Sequence, residues 1–285
     1  MKDILVHTLL HSIKDVIKLL PFLFLAFLLI ELIEHKFNKK AKKIIAKSGN
    51  MGPLLGGVLG LFPQCGFSVM ATNLYVTRII SLGTLIAIYL STSDEMLPIL
   101  LSSNVEFSLI LKMLGIKLFF GLFFGFLIDL FLRRRKKVVR VDYQICDDDD
   151  CHCEKGIFLS SLKHTLSTFL FIFIATFVLT FLIETLGEEN ISKVFLKNSI
   201  FGPFISSIVG LIPNCASSVI ITELYLSNAI SLGTAMAGLL TGSGVAILVL
   251  FKSNKNLKEN LVILSLVYGL GVISGIVIEI VELLI

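Results

Sequence analysis

The sequence predicts an all-α polytopic membrane protein made of two inverted-topology repeats, each with about three full spans and one Pro-broken re-entrant hairpin, about ten helical segments in all. Three observations predict it: an apolar composition, a second copy of the first half at constant spacing, and a reversal of basic loops between the copies.

Hydrophobic residues make up 55% of the 285 positions, charged residues only 16%, and the mean hydropathy is +0.91. That leaves too little polar surface to cover a soluble domain of this length. The first apolar run follows MKDILVHTLLHSIKDVIK and has no small-residue cleavage site after it, so a permanent span is expected there and not a signal peptide.

Residues 52–93 align without a gap on 202–243 at an offset of 150, with 19 identities in 42 positions. Gly52/Gly202, Pro63/Pro213, Cys65/Cys215, Tyr75/Tyr225 and the ISLGT run at 80/230 all keep register, which apolar composition alone would not enforce. The offset continues outward, from Glu34/Glu184 to Gly121/Gly271, Gly125/Gly275 and Asp129/Glu279. Residues 1–140 are read as transmembrane repeat 1, 141–155 as a polar linker and 156–285 as transmembrane repeat 2.

Basic residues set the orientation. In the first copy they follow the first span (Lys36, Lys39, Lys40, Lys42, Lys43, Lys47) and the last (RRRKK, 133–137), while SSNVE at 102–106 has none. In the second copy GEENISKVFLKNS balances its lysines with glutamates and KSNKNLKEN, 252–260, is basic. Equivalent loops are therefore expected on opposite membrane faces, with the linker cytoplasmic and both termini outside, in a multi-pass protein of the cell (inner or plasma) membrane.

Candidate segments in the first copy are 16–34, a broken pair 52–62 and 65–77, then 80–101 and 107–132. Each member of the pair is well short of the about 20 residues a crossing helix needs, which points to a hairpin whose arms are half-helices. LFPQC and LIPNC place a proline between the arms, and proline both lacks a backbone donor and disfavours helix in the residue before it. Interrupted backbone at membrane depth is tolerated inside protein or beside a water-filled cavity, where inverted-repeat transporters hold their substrate.

The next segment is interrupted too. Ser91, Thr92, Ser93, Asp94 and Glu95 break the first copy's apolar run, and Thr241, Gly242, Ser243 and Gly244 the second's. An ionised carboxylate at bilayer depth costs several kcal/mol unless paired, hydrated or coordinating a cation, so Asp94 and Glu95 are the strongest candidates in the chain. If the hairpin tips meet, a site would gather Gln64, Asn214, Cys65, Cys215, Ser68, Ser218, Ser93 and Ser243, with Glu223 standing where the first copy has Asn73. Oxygen-rich with limited sulfur, that set suits a borderline-to-hard divalent cation such as Mn²⁺, while its two thiols leave arsenite or a softer metal open.

The linker run ICDDDDCHCE supplies Cys146, Cys151, His152 and Cys153, thiols and an imidazole dense enough for a tetrahedral ion such as Zn²⁺, though not at zinc-finger spacing. A reduced loop that binds nothing is the competing reading. Asp3, His7, His11 and Asp15 share one helix face, and His164 lies at the entrance of the second copy; Asp15 and His164 are relay candidates. No Walker pattern is present to support direct ATP coupling, and no catalytic residue or nucleic-acid contact is expected.

The GP…GLFPQCGFS and GP…GLIPNCASS blocks, LSTSDEMLPIL, CHCEKG and SLKHTLS together resemble the ten-span heavy-metal exporters of prokaryotes, labelled manganese transporters or arsenic efflux proteins. The resemblance covers nearly the whole chain and implies export of a metal or metalloid ion; relatives are richer in histidine where this linker has Asp147 to Asp150. The expected function is thus a secondary transporter, not an enzyme, that exports a divalent transition metal, Mn²⁺ favoured, by alternating access around the two Pro-(Gln/Asn)-Cys hairpins. The alternatives are an arsenite, metalloid or sulfur-compound permease using the hairpin cysteines, or a metal sensor reporting through the linker. The metal is cargo, with Zn²⁺ or another divalent ion left open and no prosthetic group expected. Partners are the bilayer and the ion; a homodimer is left open.

Overall fold

Where the sequence repeats at an offset of 150, so do the helices. A computed structural model describes residues 51–62, 65–93, 96–103, 105–135 and 201–284, with scattered helical positions within 17–28 and 158–177. The described residues of the first copy form α1 (Gly52–Gly60), α2 (Cys65–Val76), α3 (Leu82–Ser91), α4 (Met96–Ser102) and α5 (Phe107–Arg135). Those of the second form α6 (Gly202–Gly210), α7 (Cys215–Leu226), α8 (Leu232–Thr241), α9 (Ala246–Ser253) and α10 (Leu257–Leu284). Every described residue with regular structure is helical, and four stretches, Leu82–Leu101, Phe107–Leu132, Leu232–Ser253 and Leu257–Leu284, are long and apolar enough to cross a membrane.

Local chemistry explains the boundaries. Pro53 and Pro203 sit in the first turns of α1 and α6, where a missing N–H costs nothing. At nine residues these helices are about 13 Å long, less than half the roughly 30 Å of hydrocarbon. α2 and α7 end alike: Ile79 N–H donates to Leu74 O and Arg78 N–H to Tyr75 O, as Ala229 does to Leu224 and Asn228 to Tyr225. In both turns the second residue after the helix has positive φ, 60° at Arg78 and 56° at Asn228. Ser81 and Ser231 then cap α3 and α8 by accepting from Thr84 N–H at 3.1 Å and Thr234 N–H at 3.2 Å.

Sequence expectation and structure differ in one instructive respect. The segment 80–101, expected as a span carrying a polar interruption, is two helices: α3 ends at Ser91 and α4 begins at Met96. α8 and α9 part in the same way over 242–245, with Gly244 at φ 56°. Each first half runs ten residues, about 15 Å, so the break falls near half the hydrocarbon thickness.

Packing is duplicated as well. Within the copies α3 lies against α1 and α5, and α8 against α6 and α10. Between them α2 packs on α9 and α7 on α4, α5 on α8 and α10 on α3, while α3 and α8 touch each other. The interrupted helices thus form the centre, and nearly every residue of α3 and α8 is buried. Glycine permits the approach: a Cβ on Gly83 would lie 2.2 Å from Gly125 O, and one on Gly233 2.7 Å from Gly275 O. Phe119, Phe123, Leu130 and Phe131 on α5 and Leu261, Ile273, Val277 and Ile280 on α10 are exposed, an apolar outer face suited to lipid.

Candidate functional site

Two helix breaks inside an apolar core set the site. A helix that stops leaves its last carbonyls without intrahelical donors, and hydrocarbon offers no water to satisfy them. At the first break Thr92 and Ser93 are buried; Thr92 folds back, its hydroxyl donating to Ile88 O at 2.7 Å, while Ser93 Oγ donates to Leu61 O at 2.7 Å. That last bond joins the break to the end of α1. In the second copy Thr241 makes the corresponding bridge, donating to Ser207 O at 3.0 Å. Ser243 Oγ is fully buried and has no partner among the described residues, as is true of Ser206 Oγ and Ser207 Oγ on α6.

The helices that follow, α2 and α7, bring further polar groups beside the breaks. Ser68, Thr72 and Asn73 are buried on α2, and Thr72 Oγ1 shares a 2.6 Å hydrogen bond with Tyr89 OH on α3. On α7, Ser217, Ser218 and Thr222 are buried, and a Cβ on Gly242 would lie 3.5 Å from Ser218 Oγ, which places α7 against the second break. Asn214, at the tip before α7, is buried; its carbonyl accepts from Ser217 Oγ at 2.8 Å.

Of the residues expected from sequence, Ser68, Ser93, Asn214, Ser218 and Ser243 therefore lie in the buried centre. Cys65 and Cys215 are the first residues of α2 and α7. Glu223 is exposed on α7, whereas its counterpart Asn73 is 3% exposed. Gln64, Asp94, Glu95, Asp15, His164 and the linker positions Cys146, Cys151, His152 and Cys153 lie outside the described residues. Among the described residues no group of three His, Cys, Asp or Glu side chains converges.

Lys117 was not anticipated. It lies in the interior of α5, its side chain is 1% exposed, and its ammonium donates to Leu239 O in the last turn of α8, from the other copy. A lysine between Leu and Phe residues within a span is the signal that sequence reasoning could have used.

At one end of the molecule the copies are also joined by charge. Arg78, in the turn after α2, grips Glu259 in the first turn of α10 with both guanidinium nitrogens, at 2.5 and 2.7 Å, and Tyr75 OH donates to the same carboxylate at 2.5 Å. The hydrogen bond to Glu259 pushes the guanidinium above its ordinary value. Beneath lies a buried amide group: Asn260 Nδ2 donates to Asn254 O at 2.9 Å. Asn73 Nδ2, Asn254 Nδ2 and Asn260 Oδ1 have no partner among the described residues.

No curated protein and no solved structure matches this chain. One family model does, over residues 1–184 and again over 155–283, under the description "Putative, 10TM heavy-metal exporter". With spans, buried breaks and this match in hand, the chain belongs to that family of ten-span heavy-metal exporters.

Proposed function

We propose that the chain is a secondary transporter that exports a divalent transition-metal ion, Mn²⁺ in the first instance, by alternating access around its two hairpins. The observation that carries the reading is the pair of helix breaks, 92–95 and 242–245, within buried helices that touch at the centre of the fold. Half-helix ends at membrane depth offer carbonyls and hydroxyls to a cation in place of its water. Ser68, Ser93, Ser218, Ser243 and Asn214 supply neutral oxygens; Asp94 and Glu95 supply the negative charge, with Gln64, Cys65 and Cys215 completing the tips. Oxygen donors with one or two thiols favour Mn²⁺ over a soft ion.

The same reading takes the repeats as inverted and the hairpins as re-entrant. In its support, the turn after α2 meets the start of α10 through Arg78 and Glu259, whereas the first copy's own equivalent of that start, Phe107, follows the far end of α3 and α4. The basic residues at 36–47, 133–137 and 252–258 favour a cytoplasmic side for the loops that carry them, and the reading takes the linker as cytoplasmic.

The test is uptake of Mn²⁺ and of arsenite into everted membrane vesicles, comparing wild type with Asp94→Asn and with Cys65→Ser/Cys215→Ser. Mn²⁺ uptake that falls at least about tenfold in Asp94→Asn, equivalent to about 1.4 kcal/mol, is expected. Arsenite uptake that is lost only with the thiols would overturn the manganese reading and make the hairpin cysteines the substrate ligands.

A further inference from the structure

Equivalent helices meet at two seams between the copies, α2 with α9 and α7 with α4, and the two seams are built differently. At the first, Tyr75 is buried and donates to Glu259 at the start of α10, Arg78 holds the same carboxylate with both guanidinium nitrogens, and Asn73, Asn254 and Asn260 are buried beneath. At the second, Tyr225 is half-buried, Glu223 is exposed where Asn73 is buried, and Ile110 replaces Asn260. Asn228 and Leu109 stand there in place of Arg78 and Glu259, so the ion pair has no counterpart. We infer that Arg78, Glu259 and Tyr75 form a latch, that the structure shows the chain latched at this seam, and that the latch opens by admitting water to the amides beneath it.

Two opposed effects meet at this seam. Asn73 Nδ2 and Asn260 Oδ1 are buried with no partner among the described residues. Both side chains reach the same end of α9: Asn73 Oδ1 accepts from Ser253 Oγ at 3.5 Å, and Asn260 Nδ2 donates to Asn254 O at 2.9 Å. A buried donor or acceptor without a partner raises the free energy of the shut seam, and water that reaches it on opening removes that cost. The clasp acts the other way. A bidentate, charge-assisted pair between α2 and α10 forms only while the two copies are together here, and its exposed rim lets water take over its hydrogen bonds when they part. A seam stabilised at its rim and penalised beneath has two states close in energy, whereas Ile110 at the second seam carries no such penalty. The inference rests on the proposed alternating access only in taking the opening of one seam to accompany the closing of the other.

Amide hydrogen exchange of the full-length protein in detergent, without metal, decides it. The helical amides of 72–76 and 260–264 lie beside the latch, and those of 222–226 and 110–114 are their equivalents at the second seam. In wild type the first set is expected to exchange at least about threefold more slowly than the second after correction for intrinsic rates. Glu259→Gln should speed the first set by at least about threefold and slow the second, because releasing one seam shuts the other. Asn73→Leu, which keeps the shape of the side chain and removes the unpartnered amide, should instead slow the first set by about threefold. An ion pair that only stabilises the fold would speed exchange at both seams in Glu259→Gln, and that result, no change, or a variant that does not fold would overturn the latch. Unchanged or faster exchange beside the latch in Asn73→Leu would overturn the part given to the amides. Because exchange is read without metal, these outcomes stand apart from Mn²⁺ uptake: wild-type vesicles that take up none would sink the proposed cargo and leave the latch to be judged on exchange alone.

Discussion

In the first copy the carboxylate of Asp129 accepts from Ser81 Oγ at 2.6 Å; in the second, Glu279 accepts from Ser231 Oγ at 2.7 Å. Gly83 and Gly233 lie flat against Gly125 and Gly275, and Arg78 and Asn228 turn the chain with the same left-handed residue. Beyond that carboxylate pair, charge is not duplicated at the contacts between the copies. Lys117 faces Leu239 where the second copy has Val267, and Arg78 pairs with Glu259 where the second copy and its partner have Asn228 and Leu109. What is shared is the scaffold that brings two broken helices together; what differs makes one end of it unlike the other. Alternating access around a perfectly symmetric centre would leave the two sides equivalent, and these substitutions remove that equivalence.

The shared half of the comparison is broken most severely at the glycines. Gly83→Ala and Gly233→Ala each set a Cβ against backbone oxygen, so each should lower stability by about 1–3 kcal/mol or more, to a similar extent in both copies. Gly115→Ala, where nothing lies within 4 Å, should instead be neutral or stabilising by up to about 1 kcal/mol. Thermal unfolding of the detergent-solubilised protein checks all three; a tolerated Gly83→Ala would mean that α3 and α5 are not in contact as described.

Next in size come the capping carboxylates. Asp129 accepts from Gly83 N–H at 3.0 Å in addition to Ser81, and it is buried, whereas Glu279 is half-buried. Asp129→Ala should therefore cost about 1–3 kcal/mol and more than Glu279→Ala, read from the same unfolding curves. Equal losses would remove the asymmetry assigned to this pair.

How much of this was legible beforehand follows from what each feature depends on. The duplicated short helices and the helix breaks could be read because prolines and the polar runs at 91–95 and 241–244 act on the chain locally, whatever surrounds them. The Ser81–Asp129 and Ser231–Glu279 pairs were half visible: the offset matched Asp129 to Glu279, but only the packing of α3 on α5 shows what they bind. Lys117 and Glu259 escaped because their partners belong to the other copy, and sequence periodicity does not report how two copies interlock. The exposure of Glu223 was hidden for the same reason: the orientation of α7 decides it.

The inter-copy ion pair comes third. With its side chains 45% and 20% exposed, the Arg78–Glu259 contact is partly solvated, so a double-mutant cycle with Arg78→Asn and Glu259→Leu, the residues of the other copy, should give a coupling of about 1 kcal/mol. A coupling near zero would make the two ends of the molecule energetically alike.

The smallest effect separates charge from backbone at the same turn. Arg78 holds φ 60°, a conformation costly to most side chains and easier for asparagine, which is what the second copy has at φ 56°. Arginine is retained there despite its backbone because its guanidinium meets Glu259. Once Glu259→Leu has removed that partner, Arg78→Gly relieves the backbone but also gives up the guanidinium's place over the Tyr75 ring, 5.3 Å from its centroid, and should raise stability by up to about 1 kcal/mol over Glu259→Leu alone. Asn228→Gly replaces an uncharged residue already suited to the turn and should shift stability by only a few tenths of a kcal/mol. If Arg78→Gly in that background gains no more than Asn228→Gly does, the strain of the left-handed turn in the first copy is no larger than what the contact with Tyr75 offsets, and the ion pair is not needed to hold it.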